Sequence, residues 1–257
     1  MPVRQGRQGK MASMKKSIML FVSLLALAAP ACAQTLIFAV STGSAMPMTE
    51  FRNERLTGGL LKDFGDALAR ELAMTPRYLL LPRKRVESAL LLGNADLVCD
   101  LRPEWLDGKD WAWSGTVFSN NMIVASRSDT VPLASIPALA GQRVGTILGY
   151  RYPELESALG KQLLRDDAAS DDLTTAKLLN RRFNYAVSNS LYYDYQRKAH
   201  PARSQLHKTV LNITAFDTYC ALAPHALVDI DQVNRAIVAL RRRGEMRQIY
   251  ARYRPAD

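Results

Sequence analysis

Short apolar runs and helix-period stripes alternate along most of the chain. Leu36-Ile37-Phe38-Ala39-Val40 is a compact apolar run closed by Ser41-Thr42-Gly43-Ser44, which predicts a strand and then a loop. Beyond Gly58-Gly59, the residues Leu60, Leu61, Phe64, Ala67, Leu68 and Leu72 recur at a spacing that keeps them on one stripe of a helix. Tyr78-Leu79-Leu80-Leu81, stopped by Pro82, predicts a second strand. A helix carrying Val86, Ala89 and Leu90 follows, with Gly93-Asn94 at its end. Ala95-Asp96-Leu97-Val98-Cys99 completes a βαβαβ order, which requires a parallel sheet covered by helices.

The pattern breaks between Arg102 and Asn121, a stretch rich in Trp, Pro, Gly and Ser, and then restarts. Met122–Ala125 and Val144–Leu148 predict strands, and Pro153 suits the first position of a helix carrying Leu155, Ala158 and Leu163. Asp171 is placed to cap a helix with Leu173, Leu178 and Leu179, and Tyr185-Ala186-Val187 predicts a further strand. The last helices carry Val233, Ala236, Ile237 and Leu240, ended by Gly244, and then Met246, Ile249, Tyr250 and Tyr253. Two α/β units in succession predict two lobes.

Charge changes this picture little once it is divided. The formal net charge is +10, but residues 1–33 carry Arg4, Arg7, Lys10, Lys15 and Lys16 and no acid. Without those five, 29 basic residues face 24 acidic ones, a net of +5. That is a mildly basic surface, not the footprint of a nucleic-acid binder. The same segment runs from Lys15-Lys16 through the apolar Ser17–Ala29 to Ala31-Cys32-Ala33, the arrangement of a secretory signal peptide. Cleavage is expected after Ala33, with export to the periplasm; the competing reading is a lipoprotein acylated at Cys32. Export leaves Cys99 and Cys220 as an even pair in an oxidising compartment, open to a disulfide or to two buried thiols.

Several phrases in this order resemble the family 3 extracellular solute-binding proteins, the polar amino acid receptors of ABC transporters. They are Gly93-Asn94-Ala95-Asp96-Leu97-Val98, Pro103-Glu104, the Trp113-Ser114 to Phe118-Ser119 region, Asn234 with Leu240, and Gly244-Glu245-Met246-Arg247-Gln248-Ile249-Tyr250. The resemblance covers essentially everything after residue 33. It implies an α/β, two-lobed periplasmic binding protein fold, each lobe a mostly parallel sheet flanked by helices, joined by two crossing strands. Lobe one is expected at 34–117 plus 220–257 and lobe two at 121–217. The same mapping sets Cys99 near the first crossing and Cys220 near the second, which implies a bridge between them. It also implies a small-molecule ligand and an ABC permease as partners, a monomer, and no cofactor, metal or nucleic acid.

The family's ligand contacts transfer poorly. The Arg that follows the Pro-Glu pair and forks onto a ligand carboxylate is Trp105 here, and the ammonium-binding Asp is replaced by Asn189-Ser190. Ala45 and Arg83 stand where the family carries aromatic clamps. Ligands of such sheets bind beyond the carboxyl ends of the strands. The candidate contacts are therefore Ser41, Thr42, Ser44, Arg83, Arg85, Arg102, Trp105, Ser119, Asn120, Tyr150, Arg151, Asn189 and Ser190. Arg102 offers a rigid fork for a carboxylate, or alternatively a salt bridge to Asp100 or Glu104. Arg151 adds to the free N–H groups before Pro153. Of Trp105, Trp111 and Trp113, one at most is expected to touch ligand. With four arginines against Asp100 and Glu104, the mouth is expected to be net positive and to favour an anionic or zwitterionic ligand with a carboxylate.

Enzyme readings lack support of equal weight. His200, His207 and His225 stand in separate segments, and neither a Gly-x-Ser-x-Gly elbow nor a Walker glycine loop is present. The alternatives that remain are a dehydratase-like enzyme on the same fold, using Asp100 or Glu104 as acid or base, and a sensing accessory protein not coupled to transport.

Overall fold

The computed structural model describes residues 1–3, 34–108, 111–199 and 205–253. The expected signal segment, with Cys32 and the cleavage point after Ala33, lies outside the described residues apart from its first three. Residues 34–257 form one compact unit.

The chain begins with β1 (Thr35–Ser41), a hairpin of β2 (Glu50–Arg52) and β3 (Arg55–Gly58), and α1 (Leu60–Glu71). Next come β4 (Thr75–Leu81), α2 (Arg83–Leu91), β5 (Leu97–Leu101), the short β6 (Ala112–Trp113) and the long β7 (Phe118–Ser126). The second half holds β8 (Arg143–Ile147), α3 (Pro153–Leu159), β9 (Leu164–Ala168), α4 (Asp171–Leu179), β10 (Tyr185–Asn189) and α5 (Ser190–Ala199). The chain then returns along β11 (Leu211–Leu222) and ends with α6 (Ile230–Arg242) and α7 (Glu245–Tyr253).

The strands lie in the order β4-β1-β5-β11-β7-β10-β8-β9, with β6 beside β11. In the first half β1 pairs parallel with β4 and β5; in the second, β8 pairs parallel with β9 and β10. Strand β11 joins the halves, running antiparallel to β7 over Leu211–Thr218 and to β5 over Tyr219–Leu222. Strand β7 crosses as well. Its first residue, Phe118, packs edge-on to Phe64 and Tyr250 in the first half, whereas Met122–Ala125 lie in cores of the second. This is the two-lobed binding-protein fold with two crossing strands that the sequence implies.

Period-two alternation builds a core on each face of each half-sheet. In β1, Leu36, Phe38 and Val40 face one cluster with α1, α6 and α7, while Ala39 faces another with α2. In β7, Met122 and Val124 face one cluster and Ile123 and Ala125 the other. Residues buried on both faces of parallel strands read as continuous apolar runs, which is why β1, β5 and β8 were legible.

Three local expectations differ from the structure. Ser170, not Asp171, caps α4: its hydroxyl accepts from Leu173 N at 3.3 Å, and Asp171 is the first helical residue. Helix α3 stops at Leu159, where Gly160 turns with φ 51°, so Leu163 lies beyond it. The strand expected at Tyr185–Val187 extends to Asn189 and runs directly into α5.

Candidate functional site

The carboxyl ends of strands from both halves converge on one enclosed cavity of about 110 Å³. Ser41 ends β1, Asp100 lies near the end of β5, and the loop after β8 supplies Tyr150, Arg151 and Tyr152. Asp171 follows β9, and Ser188 and Asn189 end β10. Trp105 and Phe216 form an aromatic side, their rings 5.5 Å apart edge to face. The space is of the same order as the ~150 Å³ cavity that holds a benzene.

Asp100 reaches this cavity through a break in the β ladder. Leu101 pairs with Tyr219 and Val98 with Ala221, so Cys99 and Asp100 together stand opposite Cys220 alone. That is a β-bulge, and Asp100 carries its left-handed turn with φ 62°, which is costly for a residue with a Cβ. The extra residue shifts the alternation: Val98 and Leu101 both face the α2-side core, and Asp100 is left facing the cavity. The Cys99–Cys220 disulfide pins the two strands at this point, and Cys99 also lines the cavity. Of the two readings of these cysteines, the bridge is the one present.

Asp171 arrives from the other half. Its backbone N–H donates to Gly43 O at 2.9 Å, which draws the start of α4 against the loop after β1. Gly43 must be small here, because an added Cβ would meet the Tyr150 ring at 3.0 Å and Ile147 at 3.1 Å. Arg165 braces the Tyr150 loop by donating to the Ile147 and Tyr150 carbonyls, both at 3.1 Å. Asp171 is 8% exposed, and among the described residues no hydrogen bond or ion pair engages its carboxyl. Burial pushes its pKa up, with repulsion from Asp172 and Asp100 adding to the effect, from 3.8 to about 8. Burial likewise pushes the Asp100 carboxyl from 3.8 to about 7, against the opposing effect of the Thr218 hydroxyl beside it. Among the described residues, two further polar atoms of the lining are buried without a protein partner, Trp105 Nε1 and Ser188 Oγ.

The sequence-derived candidates divide in two. Ser41, Ser44, Arg83, Trp105, Asn120, Tyr150, Arg151 and Asn189 line the cavity. Thr42, Arg85, Arg102, Ser119 and Ser190 do not. Thr42 and Arg85 are exposed, and Ser119 donates to Asp217 on the outer surface at 2.6 Å. Ser190 donates to Asn120 Oδ1 at 2.9 Å, and that oxygen also accepts from Leu191 N, so the pair closes the start of α5. Asn120 in turn donates to Asn189 at 2.9 Å. Arg102 points away from the cavity: Nη1 donates to Glu154 of the other half at 2.8 Å, and Nε lies 3.4 Å from Glu104. Its guanidinium covers the outer side of Trp105 and Phe216, 5.6 Å from each ring centre. Arg151 is paired with Asp107, and Arg83 donates to Trp105 O at 2.5 Å. Trp111 and Trp113 belong to the core behind Trp105. Asp171 was not among the expected contacts.

No protein-family model matches the sequence, and no curated protein matches it. Solved structures match its fold. An ancestral arginine-binding protein bound to arginine superposes with a TM-score of 0.73 at 17% identity, covering 86% of this chain and 99% of its own. The ancestral amino acid-binding protein AncCDT-1, a precursor of cyclohexadienyl dehydratase, gives 0.71 at 17% identity, with 85% and 94% covered. ArtJ from Geobacillus stearothermophilus, an arginine-, lysine- and histidine-binding protein, gives 0.72 at 13% identity, with 87% and 96% covered. The fold class is therefore that of the two-lobed amino-acid-binding proteins.

Proposed function

We propose that this chain is a periplasmic solute-binding protein that captures one small polar molecule between its halves and delivers it to an ABC permease. The observation that carries this reading is the enclosed cavity at the strand ends, to which both halves contribute polar atoms that lack a protein partner, Trp105 Nε1 and Ser188 Oγ among them. Buried polar atoms without partners are costly, and a ligand that pairs with them removes that cost. The fold's neighbours bound to arginine or histidine support the same role. The lobes are 34–117 with 220–257, and 121–217. Contacts run through Ser41, Ser44, Arg83, Trp105, Asn120, Tyr150, Arg151, Asn189 and Ser188, with Arg83 the guanidinium best placed for a ligand carboxylate. A thermal-shift screen of the purified protein against amino acids, organic acids, amines and sugars tests it. A compound at a hundred times its dissociation constant should add about 2.7 kcal/mol of stability. No stabilisation by any class would remove the reading.

A second reading has one specific observation behind it. Two cavity carboxyls with pKa values near neutrality, about 7 and about 8, suit acid–base catalysis. Incubating each stabilising compound with the protein separates the two. A binding protein returns the compound unchanged, whereas an enzyme accumulates product and loses that activity in Asp171→Asn.

A further inference from the structure

We propose that the cavity selects a compact cation, a ligand bearing a protonated amine or amidine seated between the Asp100 and Asp171 carboxyls with its apolar part against Trp105 and Phe216. This rests on the binding-protein reading and gives it a ligand class. The two carboxyls come from opposite halves, so a cation between them is gripped only when the halves meet. Asp171 is more than nine-tenths buried, and among the described residues its carboxyl has neither a hydrogen-bond donor nor a cation beside it.

Of the four guanidinium groups expected to make the mouth positive, Arg85 is exposed outside the cavity lining, and Arg83, Arg102 and Arg151 have protein partners. Arg102 is held by Glu154 and Glu104, and Arg151 by Asp107. Arg165 is held by Asp167 and two carbonyls. Arg83 is held by the Trp105 carbonyl, and the acids that act on it are Glu87 and Asp107. The arginines of the lining, Arg83 and Arg151, thus have protein partners, whereas among the described residues the Asp171 carboxyl has none. An ionised carboxylate in such a site must find a cation or take up a proton, because burial of an unpaired charge is prohibitive. Without a ligand, burial favours the protonated form of both carboxyls below about pH 7. A ligand ammonium displaces that proton and supplies charge-assisted hydrogen bonds. Arg102, stacked 5.6 Å from the outer sides of Trp105 and Phe216, shows that these rings accept a cation on a face. The cavity volume of about 110 Å³ suits a ligand no larger than about benzene, roughly six non-hydrogen atoms.

Matched pairs that differ only in the charged group provide the test: L-alanine and L-lactate, γ-aminobutyrate and γ-hydroxybutyrate, putrescine and butane-1,4-diol. Melting temperature and calorimetric affinity are read at about pH 8.5, above the range in which the two carboxyls release their protons. The expected result is that at least one amine binds tenfold or more tightly than its hydroxyl partner. The double variant Asp100→Asn/Asp171→Asn should lose that preference while melting, without ligand, no lower than the parent. Three results overturn the proposal: hydroxyl partners binding as well as amines, amine binding that survives the double substitution, or no amine binding at all. If the hydroxyl compounds bind and Trp105→Ala abolishes it, the binding-protein reading stands and the cation falls. If no compound of either kind binds, both fall.

Discussion

Replacing Asp171 with Asn probes the linkage between protons and closure. In the structure the halves are closed on each other through Asp171 N to Gly43 O, Arg102 to Glu154 and Arg151 to Asp107. Closing is what strips water from Asp171, so its raised pKa belongs to the closed arrangement, and an open, wet cleft returns it toward 3.8. The closed state then binds more protons than the open one. Its advantage is complete below 3.8 and is lost as pH rises through about 8. Between about pH 5 and pH 8 each pH unit removes up to 1.36 kcal/mol, a ceiling of about 4 kcal/mol from this one group. Water held in the cavity lowers that figure, and Asp100, with its upper limit at about 7, acts in the same direction. Small-angle scattering of the ligand-free protein should show a larger radius of gyration at about pH 8.5 than at about pH 5. Asp171→Asn, which cannot ionise, should stay compact at both. A parent whose radius does not change with pH, or a variant that expands as the parent does, would refute the reasoning.

Reducing the Cys99–Cys220 bridge, which closes 121 residues of chain, should lower stability by at most about 4–5 kcal/mol, seen as a lower urea midpoint with reductant present. An unchanged midpoint counts against a structural bridge. Arg102→Ala should cost about 2–4 kcal/mol of thermal stability, because it leaves Glu154, already holding a buried unpaired oxygen, without its cation. Adding Glu154→Gln should recover part of that loss in a double-mutant cycle, and strict additivity would contradict the ion pair's role. Gly43→Ala should weaken ligand affinity through the Tyr150 and Ile147 contacts by about 1–3 kcal/mol, with the circular dichroism spectrum unchanged. Affinity equal to the parent's would show that this close approach does not govern closure.

The strands and helices that carry the cores were legible because their apolar residues repeat at 2.0 or 3.6 positions. The elements missed have another character. Strand β9 (Leu-Arg-Asp-Asp-Ala) is a polar edge, and β11 exposes Asn212, Ala215 and Asp217 along the crossing, with a register shift after Asn212. The tyrosines of α5 hide its helical stripe. At the site, strand ends pointed correctly to the positions of Ser41, Tyr150 and Asn189, since sheet topology fixes where those loops lie. The direction of a long side chain is not fixed that way. Arg102 turns outward because Glu154 and the outer sides of Trp105 and Phe216 await it, partners far along the chain. Asp171 reads as a helix cap in the sequence, and only the approach of Gly43 makes it a buried cavity carboxyl. The left-handed Asp100 had no local signal, since a bulge of this kind usually announces itself with glycine.

The central claim is that one small molecule is held between the halves by groups from both. Hydrogen exchange, with and without the most stabilising compound of the screen, tests it segment by segment. Simultaneous protection is expected at Ser41–Met48 and Asp100–Trp105 in one half, and at Ile147–Tyr152, Asp171–Thr175 and Ser188–Tyr192 in the other. Protection confined to one half, or located away from these strand ends, would contradict it.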